Sequence, residues 1–118
     1  MPHRGDIHKD HKMVFDATLV AVRPRNNNTV KKVLAYETLS ETEWGNPVAS
    51  DMFIPTYFED VDELYFEKKM KALSFFHSQM APFPASRSLE AVDALSKYRG
   101  ATISKMRAEA FMVVRIIS

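Results

Sequence analysis

Cysteine is absent from this chain of 118 residues. That removes disulfides, thiolate metal sites and cysteine nucleophiles from consideration. Charge of one sign is not in excess either. Sixteen Lys and Arg face fifteen Asp and Glu, for a net charge of +1 with neutral histidines. At that balance neither nucleic acid nor an anionic membrane surface is an expected partner. No apolar run is long enough to span a bilayer, and Met1-Pro2-His3-Arg4-Gly5-Asp6 lacks the apolar region of a signal peptide. The cytoplasm is the expected location. Internal repeats and low-complexity tracts are also missing. What is present is an ordinary globular composition, 46% apolar and 26% charged. It suits one domain, or a piece of a larger one, with a real core.

The first apolar segment reads Met-Val-Phe-Asp-Ala-Thr-Leu-Val-Ala-Val over 13–22. Asp6 is a plausible N-cap for a helix over 7–23, which Pro24 ends. Apolar residues on nearly all its faces predict a helix buried between other elements. Arg25-Asn26-Asn27-Asn28 follows as a polar loop. Within 30–38, Val33-Leu34-Ala35-Tyr36 fits a buried strand of a sheet covered on both faces. A long irregular stretch over 39–51 comes next, of a length that is often functional. A second strand is predicted over 52–58, with Pro55 marking an edge or an interruption.

Asp60 or Asp62 caps the next predicted helix, which runs to about residue 79. Leu64, Met70, Leu73 and Phe76 form its apolar stripe, and Glu63, Glu67, Lys68, Lys69 and Lys71 its wet side. Pro82-Phe83-Pro84 is a stiff linker. Ser86 or Ser88 opens a third helix through Leu89, Val92, Leu95 and Tyr98, with Gly100 as its stop. The apolar tail over 110–117 fits a strand or a closing helix, and its β-branched end favours the strand. The pattern is α/β, and it reads like the second half of such a domain.

Chemistry concentrates in Gly5-Asp6-Ile7-His8-Lys9-Asp10-His11-Lys12. Residues three apart on a helix share a face, so both imidazoles can point at one target. A helix N-terminus adds free N–H groups and partial positive charge. A hydrolytic zinc site needs about three His, Asp or Glu ligands and an open position, with an acid or base beside it. His11 could ligate, His8 could face a substrate carbonyl, and Asp10 could orient one imidazole. The spacing is a weak pattern by itself, and a solvated helix start without a role fits it as well.

These same residues resemble the second signature of the LmbE-like, or PIG-L, family of zinc-dependent N-deacetylases. Later segments resemble that family in the same order: Val33-Leu34-Ala35-Tyr36-Glu37, Ser40-Glu41-Thr42-Glu43-Trp44, and Lys69-Met70-Lys71-Ala72-Leu73 with Ser78-Gln79. Then come Pro82-Phe83-Pro84, Arg87-Ser88-Leu89-Glu90-Ala91, Tyr98-Arg99-Gly100 and Ala108-Glu109-Ala110-Phe111. The resemblance implies a Rossmann-like α/β fold, with helices packed on a small, partly parallel sheet. It implies removal of an acetyl group from an N-acetylated sugar of GlcNAc type. By position His11 is then the third zinc ligand. His8 polarises the amide oxygen or assists the leaving amine, and Asp10 modulates that imidazole. Asp6 falls near the substrate rim, as does the loop bearing Trp44.

The family's His-Pro-Asp-Asp signature, which brings the other two zinc ligands and the general base, is missing from this sequence. His3 follows a proline but precedes Arg4-Gly5 and does not replace it. The chain is therefore expected to be the C-terminal part of a single deacetylase domain spanning 1–118. Zinc is expected only if another chain or segment completes the site. A non-catalytic module is the alternative, with apolar surface on 13–22 and 30–37 covered by a homo-oligomer or a separate N-terminal half. Trp44, the only Trp, suits loop packing and sugar stacking equally. Arg99 is expected as a clamp near a helix end, and Glu109 as the partner of an Arg. His77 is not expected to be a ligand.

Overall fold

A computed structural model of the chain describes residues 1–25 and 30–118. The elements run α1 (Lys9–Ala21), β1 (Lys32–Tyr36), β2 (Tyr57–Asp60), α2 (Glu63–Ser74), α3 (Leu89–Ala101) and β3 (Ala108–Ile116). The fold is α/β, with the strands in sheet order β1-β3-β2. The described residues fall into two compact units, Met1–Tyr57 with Phe111–Ser118, and Phe58–Ala110. The polar loop expected over 25–28 lies, beyond Arg25, outside the described residues.

In the first unit β1 alternates in burial, where a strand covered on both faces was expected. Val33 and Ala35 point inward and are buried, while Lys32 and Tyr36 are exposed. Strand β3 pairs with it antiparallel, from Lys32 opposite Ile116 to Tyr36 opposite Phe111. One extra residue of β3 is accommodated between Val33 and Leu34, a bulge in the ladder. Along the other edge of β1 the first residues run parallel to it. His3 N–H donates to Tyr36 O (3.0 Å), and Tyr36 N–H donates to Met1 O (3.0 Å).

Helix α1 departs from expectation at both ends and in its environment. It begins at Lys9 with His8 as N-cap, not with Asp6, because the Asp6 carboxylate is engaged elsewhere. None of its residues is buried. Met13 is 70% exposed, and Val14, Leu19 and Val20 are also exposed. The Arg115 guanidinium donates to the carbonyl of Val22, the C-cap residue.

In the second unit Asp62 caps α2 through Tyr65 N–H (3.0 Å), and Ser88 caps α3 through Ala91 N–H (3.1 Å). The two helices pack on each other. Helix α2 stops at Ser74, so Ser78 and Gln79 lie in a turn. Its buried side chain is Phe66, not a member of the predicted stripe. The Arg107 guanidinium covers that ring at 3.7 Å. Arg107 also donates to Glu63 (2.9 Å), Asp93 (2.7 Å) and Ser96 (2.8 Å). Arg107 is therefore the clamp of this unit, while Arg99 lies against the Tyr98 ring. Glu109 pairs with Lys69, a lysine and not an arginine. Gly100 falls inside α3 and does not end it. A Cβ there would sit 2.7 Å from the Arg107 backbone, so its role is to let the segment before β3 approach.

Two further expectations change. The strand predicted over 52–58 forms only from Tyr57, past Pro55, since proline cannot donate to a ladder. The sheet is antiparallel, not partly parallel, apart from the isolated Pro2–Tyr36 bridge. The reason lies in the connection from β2 to β3. One helix after a strand returns the chain for a parallel partner, but two helices return it for an antiparallel one. Val61 N–H donates to Arg107 O accordingly.

Candidate functional site

The residues singled out around the two histidines all lie in the first unit. The segment before α1 is fastened to the 38–53 loop at several points. Ile7 N–H donates to Glu41 O (3.0 Å). The buried His3 ring meets Asp51 O at 2.7 Å through Nε2 and packs edge-on against Phe53. Glycine is required where the two backbones touch. A Cβ on Gly5 would fall 1.9 Å from Asp51 O, and one on Gly45 would fall 2.3 Å from Gly5 O.

This fastening carries Asp6 beneath the surface, with no exposed area. A carboxylate accepts only, and Asp6 accepts from two sides. His11 Nδ1–H donates to Oδ2 at 2.7 Å, and the Thr42 hydroxyl donates to Oδ1 at 2.7 Å. In the neutral ring, a proton on His11 Nδ1 leaves Nε2 with its lone pair. His8 is set the opposite way. Its Nδ1 accepts the Asp10 backbone N–H (3.2 Å) as the helix cap. The neutral His8 ring therefore carries its proton on Nε2. The two rings stack with centroids 5.3 Å apart and planes 29° from parallel. One imidazole is thus arranged as an electron-pair donor at Nε2, its neighbour as a hydrogen-bond donor at Nε2.

The expected roles can be set against these positions. His8 and His11 are brought together as the spacing predicted. Asp6, expected near the substrate rim, lies under the surface with both oxygens occupied. The carboxylate that orients His11 is Asp6. Asp10 is exposed, its carboxylate 3.9 Å from His8 Nδ1, so its closest tie to that ring is the backbone cap. Trp44 is 63% exposed on the 38–53 loop. His77 is exposed in the second unit. Sequence reasoning gave Thr42 no role, because its partner Asp6 is 36 residues away and no local pattern links them.

An imidazole that donates one ring N–H to a carboxylate is the usual form of a metal-binding histidine, and His11 has that form. A zinc centre still takes about three protein ligands. Among the described residues no group of three or more His, Cys, Asp or Glu could hold a metal ion. The described residues therefore do not make a zinc site by themselves. No helix among the described residues is long and apolar enough to cross a membrane.

A chain of α/β class carrying a carboxylate-anchored histidine beside a second imidazole invites comparison with hydrolases. No protein-family model matches the chain, and no solved structure matches it. It is similar to YaiS of Escherichia coli (strain K12), an uncharacterized deacetylase, with 39% identity over 71 residues. Those residues are 60% of this chain and 31% of the relative, so the match spans about a third of that protein's length. The likeness supports a relationship to a deacetylase-type hydrolase.

Proposed function

We propose that this chain is the C-terminal part of a zinc-dependent N-deacetylase of LmbE-like, or PIG-L, type, acting on an N-acetylated sugar. The observation that carries the reading is the opposed pair of imidazoles. His11, oriented by buried Asp6, offers Nε2 as a ligand atom. His8, fixed by the helix cap, offers Nε2–H to the acetyl oxygen, where charge builds as an amide is attacked. Trp44 supplies an exposed aromatic face for a sugar ring. The remaining ligands and the general base come from a segment or chain that docks on this one, and His11 is idle as a ligand until they do. The partial likeness to a deacetylase favours this class.

The test is a zinc titration of the full chain followed by ring-nitrogen NMR, together with acetate release from an N-acetylglucosamine conjugate. Zinc is expected to perturb His11 Nε2 first and to bind weakly. His11→Ala removes that site, and His8→Ala leaves it. Stoichiometric binding that ignores His11 contradicts the reading. Acetate release is expected only when a partner supplies the missing ligands, and then it is lost in both variants.

A second reading has its own observation. The exposed apolar residues of α1 suit a non-catalytic module that associates with copies of itself or with an N-terminal half. Concentration-dependent association without any effect of His11→Ala on zinc would favour it.

A further inference from the structure

We infer that Thr42 is a positioning residue for His11, acting through Asp6. The inference rests on His11 being the working imidazole of the proposed site, but its test does not depend on activity. The Thr42 hydroxyl stands in a directed chain of hydrogen bonds. It accepts the Thr38 backbone N–H at 2.8 Å, which leaves its own proton free to donate. That proton goes to Asp6 Oδ1 at 2.7 Å. Asp6 Oδ2 then receives His11 Nδ1–H at 2.7 Å. Every donor and acceptor in the chain has its direction fixed, because a backbone N–H only donates and a carboxylate only accepts. Such chains polarise one another.

The turn that holds Thr42 is built to keep this direction. Glu41 N–H and Thr42 N–H both donate to Thr38 O, at 3.1 and 2.9 Å. The Thr38 N–H is thereby pointed at the Thr42 side chain across the same short turn. Ser40 completes it with a left-handed backbone, φ 68°, a conformation that non-glycine residues hold only when their surroundings fix it. The Glu43 carboxylate accepts Ser40 N–H and stabilises that conformation. Asp6 lies fully buried, so its oxygens rely on the donors that the chain itself supplies. Without it, the carboxylate is free to turn about its bond and lose its aim at His11.

A purely structural threonine would affect stability and leave the His11 ring unchanged. A positioning threonine changes which nitrogen of His11 carries the proton. The experiment is ring-nitrogen NMR on the labelled full chain, at a pH well above the ordinary imidazole range. In the wild type His11 is expected in its Nδ1–H form and His8 in its Nε2–H form. In Thr42→Val the His11 ratio of Nδ1–H to Nε2–H falls by about three- to tenfold, the scale of one ordinary hydrogen bond. The His8 signals stay where they were, and Thr42→Ser restores the wild-type ratio. In an Asp6→Asn background Thr42→Val has no further effect, as expected if the two act in series.

An unchanged His11 ratio in folded Thr42→Val overturns the inference. So does an equal effect of that substitution with and without Asp6. If Thr42→Val does not fold, the wild-type chain decides. A Thr42 hydroxyl proton donated to Asp6 Oδ1 gives a resolved, slowly exchanging NMR signal, and free exchange with water overturns the inference. Failure of the deacetylase reading leaves these signals intact, whereas failure here leaves acetate release unaffected, so the two are separable.

Discussion

Asp6 accepts hydrogen bonds from both sides, and an asparagine could accept on only one. In Asp6→Asn the amide must face either the Thr42 hydroxyl or His11 Nδ1–H as a second donor. One of the two must reorient, at an expected cost of about 1–3 kcal/mol, measurable by urea unfolding. A second residue-scale prediction concerns Asp93. Hydrogen bonds from Lys97, and then from Arg107, hold its carboxyl below the ordinary aspartate value. A lowered folded value means stability that is present above the ordinary aspartate range and lost as pH falls through the folded value. Urea midpoints should therefore drop on acidification below about pH 4. Asp93→Asn should be weaker at neutral pH and should flatten that acid limb; an unchanged limb contradicts the assignment. Arg107→Met removes the guanidinium from the Phe66 ring and from its hydrogen bonds, at an expected cost of about 1–3 kcal/mol by the same measurement.

At the scale of elements, the caps separate what could be read in the sequence from what could not. Asp62 and Ser88 each precede a helix and cap it through a backbone N–H three residues on. That is a local arrangement, visible in the order of residues, and it placed α2 and α3. The β-branched tail likewise gave β3. Helix α1 lies where its sequence predicts, but it starts two residues later because Asp6 is held by Thr42 and His11. Arg107 escaped notice for the same reason, since Glu63 and Asp93 lie 44 and 14 residues away. The burial of Asp6 and the clamp are long-range facts with no short-range signature. The histidine pair was legible because the two residues lie three apart at a helix start, although His8 stands just outside α1 as its cap. The cap itself gives a test. His8→Ala should lower stability by about 1 kcal/mol, and His8→Ser should recover it. Neither should support acetyl transfer to water in a completed site. Recovery of activity by serine would show that His8 matters only as a cap.

For the whole chain the decisive fact is the uncovered side of α1. Met13 and Val20, seven residues apart, fall on one face of the helix, and both are exposed. The similar protein is about three times as long as the matched segment. The chain is expected to associate with rising concentration, read as mass by light scattering. Met13→Lys combined with Val20→Lys should keep it monomeric, with stability changed by no more than about 0.5 kcal/mol per site. A wild-type monomer at all concentrations would count against exposed apolar surface as a driver of association.

The glycine contacts at 5 and 45 carry a consequence for how such a chain can change over generations. The loop is riveted to the segment before α1 at Gly45 and again at Asp51, each time backbone against backbone. Neither rivet can be adjusted by exchanging one side chain for another. Residues 46–50 between them are all exposed. Variation in length is therefore channelled into those five positions, where the protein can try out new rims without disturbing the histidines.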